Sequence, residues 1–159
     1  MDAVEVRFDV VDANSAPARW CLDRYEAELA ERFETGFDAD AAIPADPDAM
    51  RPPRGVFLVG RVGDDLVACG GVKDLGDGVA DIKRMWVATA VRGAGVGARL
   101  LAELEGRAAL LGHTIVQLET NRALNEAITL YRRAGYIEGP AHNDEPHAHH
   151  WFRKDLPAG

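Results

Sequence analysis

The chain has no excess of basic charge. Its 18 lysines and arginines face 26 aspartates and glutamates, for a formal net charge of −8. Binding a nucleic-acid backbone takes a basic stripe, so no nucleic-acid partner is expected. No apolar run approaches the ~18 residues of a membrane helix, and no membrane partner is expected either. The opening MDAVEVRFDV has neither a basic region nor an apolar signal core, which makes the cytoplasm the expected compartment. Cysteine is scarce. Cys21 and Cys69 are the two present, each among residues that belong to a helix or a strand rather than to a disulfide framework. They read as free buried thiols of a reducing compartment, and neither has a histidine nearby in sequence to make it a nucleophile.

What is present suits one soluble domain over residues 1–159, with 47% hydrophobic and 28% charged residues and length enough for a substantial core. Val4 to Val10 alternates apolar and charged residues, the pattern of a half-exposed strand. Asn14, Ser15 and Pro17 mark a helix start. Leu22, Tyr25, Leu29 and Phe33 then recur at helical spacing, predicting an amphipathic helix over 16–34 that Gly36 ends. Residues 36–54, with four prolines, read as an irregular loop with a short helical turn near Asp38–Ala42. Two strands joined at Gly63-Asp64-Asp65 and a third from Val79 to Val87 predict an antiparallel meander. A helix over 95–111, closed by Gly112, leads to a strand from Thr114 to Leu118 and a helix from Leu124 to Arg133, ended by Gly135. Two closing strands, Tyr136-Ile137 and His150 to Lys154, complete an α/β sheet of mixed sense with helices on its faces.

One stretch organises this pattern. Ile82 to Val87 suits a strand, and Arg92-Gly93-Ala94-Gly95-Val96-Gly97 is a glycine-rich turn that runs straight into a leucine-spaced helix. Unpaired N–H groups at a helix N-terminus, together with its dipole, favour an anion such as a pyrophosphate. A Walker loop would need Gly-Lys followed by Ser or Thr, and position 98 is alanine with no lysine beside it. A dinucleotide fingerprint needs Gly-x-Gly-x-x-Gly with an acid ~20 residues on, and Gly93, Gly95 and Gly97 have the wrong spacing.

The run Arg-x-x-Gly-x-Gly, five residues after Val87 and followed by an amphipathic helix, resembles the pyrophosphate arm of the GCN5-related N-acetyltransferases, the GNAT superfamily. Leu130-Tyr131-Arg132-Arg133-Ala134-Gly135-Tyr136 resembles that superfamily's Leu-Tyr-x-x-x-Gly-aromatic signature. Glu119-Thr120-Asn121, Glu126-Ala127 and Trp151 to Lys154 are similar to a bacterial branch, and the likeness runs from about residue 54 to 155. The resemblance implies a mixed, mostly antiparallel central sheet flanked by helices on both faces. It also implies transfer of an acetyl group from acetyl-coenzyme A to a primary amine by direct attack in a ternary complex, in a monomer or homodimer. A non-catalytic acyl-coenzyme A sensor or partner protein is the alternative from another class.

Acetyl transfer asks that the carrier be held, the carbonyl polarised and the protons managed. Backbone N–H groups of Arg92 to Gly97 can hold the pyrophosphate, and Met85, Trp86 and Val87 can pair a free strand edge with the amide-rich pantetheine arm. Arg92 can add a charge-assisted phosphate contact. By resemblance, the Val87 N–H donates to the thioester oxygen and Tyr131 protonates the departing thiolate. An alkyl amine with pKa near ~10 arrives protonated and needs a base or a water relay, and Asp81 and Glu119 are the acids best placed by strand position. Asp81 could equally pair with Lys83 or Arg84. Many members of the superfamily carry a cofactor-contacting asparagine seven residues before the tyrosine, where this chain has Leu124. Asn125 or Asn121 could substitute, with Asn125 the expected cofactor contact.

Two polar stretches complete the reading. Asp23 to Asp48 holds nine acids against Arg24 and Arg32. By resemblance this segment flanks the acceptor site, so an acidic wall favouring a cationic small-molecule or peptide amine is expected. The loop His142 to His150 has imidazoles and carboxylates that suit zinc or nickel. It lacks the defined ligand spacing of a zinc site, so no metal is expected and the loop is expected to shape the acceptor pocket.

Overall fold

A computed structural model describes residues 5–43 and 46–157. The chain forms β1 (Arg7–Val11), α1 (Ala16–Arg32), β2 (Val56–Val62), β3 (Asp65–Gly76), β4 (Val79–Val87), α2 (Val96–Leu110), β5 (Ile115–Thr120), α3 (Asn125–Arg133), β6 (Ile137–Gly139) and β7 (His150–Asp155). One seven-stranded sheet runs in the order β1-β2-β3-β4-β5-β7-β6. Every neighbouring pair is antiparallel except β4 and β5. This is the mixed, mostly antiparallel sheet expected from the sequence.

Alternation along the strands sends one set of side chains to each face. Leu58, Val72, Ala80, Ile82, Val116, Leu118 and Phe152 pack against Val96, Leu100, Leu101, Leu104 and Ala108 of α2 and against Ile128 and Tyr131 of α3. Phe57, Val59, Cys69 and Trp86 meet Ala18 and Cys21 of α1 on the other face. Helices therefore cover both faces. The two thiols are free and buried in this second core, with Cys21 donating to the Ala68 carbonyl at 3.7 Å and Cys69 to the Arg84 carbonyl at 3.3 Å.

The centre of β4 carries a bulge that the sequence reading did not anticipate. Cys69 faces Trp86, yet Gly71 faces Lys83, so β4 has one extra residue there, and Arg84 takes φ +58°. The extra residue inverts the alternation. Ala80 and Ile82 point to the α2 face, whereas Trp86 points to the α1 face and Met85 and Val87 to the α2 face.

Several element ends differ from expectation, among them the far ends of β3, β5 and β6, which reach Gly76, Thr120 and Gly139. The first strand pairs only from Arg7, and Val4 lies outside the described residues. Helix α1 begins after Ser15, whose Oγ accepts from Ala18 N–H at 3.4 Å, and it stops at Arg32 because Phe33 is already extended at ψ 137°. Gly36 lies in the turn beyond, at φ +75°. In the proline-rich loop, the Asp38 carbonyl accepts from Ala41 and Ala42, as the expected short turn requires. A 3-10 turn at Pro47–Met50, not foreseen, buries Ala49 and Met50 against the sheet. Gly71 makes room for it: a Cβ there would lie 2.7 Å from the Met50 sulfur.

Candidate active site

Strands β4 and β5 pair only through Val79, Ala80 and Asp81 with Ile115, Val116 and Gln117. Beyond that seam β4 runs on with no β5 partner. A cavity of about 970 Å³ is bounded by the end of β4, the turn before α2, and α3. Met85, Trp86, Val87, Arg92, Gly93, Gly95, Val96, Gly97 and Asn125, all expected to hold the cofactor, line it. Ala94 does not line the cavity, and its methyl packs against the main core.

The turn is built for backbone recognition. Gly93 and Gly95 sit at φ +83° and +79°, where a Cβ is strained. Gly95 caps α2 with no side-chain hydrogen bond, which leaves the first-turn amides to an external acceptor. The Ala88 N–H donates to the Val67 carbonyl at 2.7 Å, while the Val87 carbonyl accepts from Arg92 Nε at 3.0 Å. Along an extended strand successive residues alternate in direction, so Val87 turns its N–H away from β3, toward the side where β5 has parted. Arg92 itself is tethered, since its guanidinium also pairs with Glu28 of α1. A phosphate contact from Arg92 would share that guanidinium with Glu28. An uncapped helix start with glycine at its turn and the open edge of β4 fit the polyanionic, amide-rich arm of coenzyme A.

Tyr131 of α3 also lines this cavity and is buried. Its ring lies 5.9 Å from those of Tyr136 and Phe152, and its hydroxyl approaches the Met85 sulfur at 4.0 Å. Burial pushes the phenol well above its ordinary pKa, with the Glu119 charge as a lesser cause. The proton is held, and sulfur is a weak competitor for it.

A smaller cavity of about 100 Å³ lies on the α1 side, and it meets the larger one at Tyr25, Leu29 and Leu124, which line both. Glu119 lines the smaller cavity. Asp81 lines neither and is 4% exposed. The pairing left open for Asp81 falls to Lys83, at 3.6 Å, while Arg84 turns to Glu26. Lys83 also hydrogen-bonds Glu119. Burial, the largest cause, raises the Asp81 carboxyl pKa. Of the two candidate bases, Glu119 is the one with access.

The two asparagines differ in position. Asn121 Nδ2 donates to the His147 carbonyl at 2.7 Å and its Oδ1 accepts from Ala123 N–H, so it is committed to the loop. Asn125 lines the larger cavity.

The segment Asp23 to Asp48 lies beside the smaller cavity, to which it gives Tyr25, Leu29, Phe33, Phe37, Ala42 and Ile43. Its acids do not form the expected wall. Glu26, Glu28, Glu34 and Asp48 pair with Arg84, Arg92, Arg122 and Arg51, and the carboxylates lining the cavity are Glu119 and Glu145. The histidine loop does shape this site. His147 packs at a tilt against Phe37 at 4.9 Å and against Phe33 at 5.7 Å, and Glu145 accepts from Ile43 and His147 N–H groups.

Sequence reasoning missed Tyr25, which it placed only on the apolar stripe of a helix. Its phenol pKa is raised by burial, and the residue stands at the junction of both cavities. It also missed Arg133 and Lys154, cations on the wall of the larger cavity. Nothing local in sequence marks any of the three.

Comparison with known proteins agrees with this geometry. A family model described as "Acetyltransferase (GNAT) family" matches residues 19–136. An IAA acetyltransferase of Azospirillum brasilense is 33% identical over 121 residues, covering 75% of this chain and 74% of the relative. A GNAT-family acetyltransferase structure from Staphylococcus aureus superposes with a TM-score of 0.76 at 16% identity, covering 94% of this chain and 99% of that one. An IAA acetyltransferase structure from Bacillus cereus does so at 0.63 and 15%, covering 96% and 100%. The chain belongs to the acetyltransferase (GNAT) family and is an acetyl-coenzyme A-dependent N-acetyltransferase.

Proposed function

We propose that the protein transfers the acetyl group to a primary amine of a small molecule or peptide by direct attack in a ternary complex. The observation that carries this reading is the meeting of two cavities at Tyr25, Leu29 and Leu124, with Tyr131 on one and Glu119 on the other. A proton donor and a proton acceptor thus stand on opposite sides of one junction. Acetyl-coenzyme A, when bound, supplies the thioester whose carbonyl the amine attacks.

The residues divide the remaining work. First-turn amides of α2 and the edge of β4 bind and orient the cosubstrate, and the Val87 N–H meets the thioester oxygen as charge develops on it. Glu119 takes the proton of the incoming ammonium, directly or through water. Tyr131 gives its proton to the departing thiolate sulfur. Neither cysteine lines either of these two cavities, which favours direct attack over an acyl-cysteine relay. Preference for a cationic acceptor rests here on Glu119 rather than on the acidic segment.

The test is coenzyme A release from acetyl-coenzyme A with a panel of amino acids, polyamines, aromatic amines and peptides. Amine-dependent release from at least one class is expected. Release equally fast without any amine, or from no amine in the panel, would overturn the reading.

A further inference from the structure

Asp81 of β4, Glu119 of β5 and His142 of the closing loop each bring one potential ligand atom within 4.8 Å of the other two. The strands place the two acids. Asp81 faces Gln117 across the parallel seam, and Glu119 lies two residues beyond Gln117 on the same face. Lys83 then holds each carboxylate by one oxygen, Glu119 through Oε1 and Asp81 through Oδ2 at 3.6 Å. Asp81 Oδ1 and Glu119 Oε2 are left buried with no hydrogen-bond partner, on side chains 6% and 8% exposed. A buried anionic oxygen without a donor is costly. Two such carboxylates brought beside an imidazole have the donor chemistry of a cation site.

We propose that Asp81, Glu119 and His142 bind a divalent transition-metal ion of the zinc or nickel kind. The imidazole nitrogen disfavours magnesium and calcium, which take oxygen ligands. Around an ion with bonds of about 2.1 Å, ligand atoms stand roughly 3–3.5 Å apart. The trio must therefore tighten, and His142, on an exposed loop, can do so by turning its ring. Two carboxylates and one ammonium leave a single net negative charge at the site, and Lys83 fixes both acids as an outer partner of metal ligands does. The spacing of the histidine loop could not show this set, because one histidine joins two acids from distant strands.

Lys83 and Glu119 also line the smaller cavity, so an ion here would occupy the edge of the acceptor site. One consequence rests on the proposed function: a bound ion takes Glu119 away from proton removal, so zinc should inhibit competitively against the amine.

Binding itself is tested on the whole chain without either substrate, by competition between the protein and a chromogenic zinc indicator. One zinc per chain is expected. His142→Ala and Glu119→Gln should each weaken binding at least about tenfold. His150→Ala, which removes the separate surface pair with Glu138 at 2.7 Å, should leave binding unchanged. His142 is exposed, so its truncation leaves the fold intact and the comparison valid. No saturable binding by the parent chain, or unchanged binding in both the His142 and Glu119 variants, overturns the site. Zinc binding without amine-dependent acetyl transfer would sink the proposed function and leave the site standing.

Discussion

The two cavities are built differently. The larger one draws most of its wall from the end of β4, the glycine turn and α2, between Met85 and Glu105, and from α3, with Tyr25, Glu28 and Leu29 of α1 and Lys154 of β7 completing it. The smaller one takes residues from α1, the following loop, β4, β5 and the loop before β7, between Tyr25 and Ala148. On the proposed function, the difference follows from what each must recognise. A pyrophosphate and an amide chain are satisfied by main-chain donors, which need only a permissive turn, an uncapped helix start and an open strand edge. An acceptor amine is recognised by side chains, and these can come from anywhere in the chain.

The largest expected effect sharpens the contrast from the larger cavity. Tyr131→Phe should lower kcat about 10²-fold or more and leave coenzyme A affinity within about twofold, as when a positioned acid is lost. Steady-state kinetics beside calorimetry check both halves, and an unchanged kcat under chemistry-limited conditions would reassign Tyr131 to packing. Gly95→Asp should do the converse. It places a Cβ at φ +79° and a negative charge against the phosphates, so coenzyme A should bind at least about tenfold more weakly.

From the smaller cavity, Glu119→Gln should reduce kcat/KM for the amine about tenfold, with little change in KM for acetyl-coenzyme A. Asp81→Asn should cost less, because Asp81 lines neither cavity. A larger loss from Asp81→Asn than from Glu119→Gln would exchange their roles.

Buried phenols link the two cavities to alkaline stability. Tyr25, Tyr131 and Tyr136 all have pKa values raised, chiefly by burial. Below the ordinary tyrosine pKa near ~10 both folded and unfolded chains keep these protons, and stability is unaffected. Above it the unfolded chain loses protons that the folded chain retains, so stability falls as pH rises. The denaturant midpoint should be insensitive to these groups from pH 7 to about 9 and drop beyond about 10, with tyrosinate absorbance appearing together with unfolding. Tyrosinate appearing in a still-folded protein would contradict the burial argument.

The smallest effect concerns salt. Four arginines outside the segment Asp23 to Asp48 pair with its acids, leaving three of the seven excess negative charges uncompensated. Charges neutralised nearby project little field. Replacing Glu34, Asp38 and Asp40 together by their amides should therefore change kcat/KM by less than about twofold. A larger drop, mimicked by added salt in the parent protein, would restore the acidic segment as an attractor of cations.

Legibility in sequence followed the same division. The glycine turn and the Leu-Tyr-x-x-x-Gly-aromatic run were readable because each is a local pattern, and the meander of β2, β3 and β4 followed from its short connections, whereas the place of β7 between β5 and β6 was not read. The bulge in β4 was not, since the residue at φ +58° is Arg84, and nothing in its side chain announces a left-handed backbone. The 3-10 turn at Pro47–Met50 hid among prolines that read as loop, and its packing depends on Gly71, some twenty residues away. The Asp81–Lys83–Glu119 cluster exists only because β4 lies parallel to β5, a pairing that brings together side chains 36 residues apart in the chain.

That short seam between β4 and β5 has a thermodynamic consequence. Three residue pairs join the β1–β4 half of the sheet to the β5–β7–β6 half, so the backbone splice between them is short, although one core packs against both. A molecule lodged in the gap beyond the splice acts as a tie across it, and a ligand that binds only the folded chain adds about 2.7 kcal/mol of stability at a hundred times its Kd. The melting temperature of this protein should then follow its cosubstrate supply. Amides at the end of β4 should exchange slowly when the supply is ample and quickly when it is exhausted.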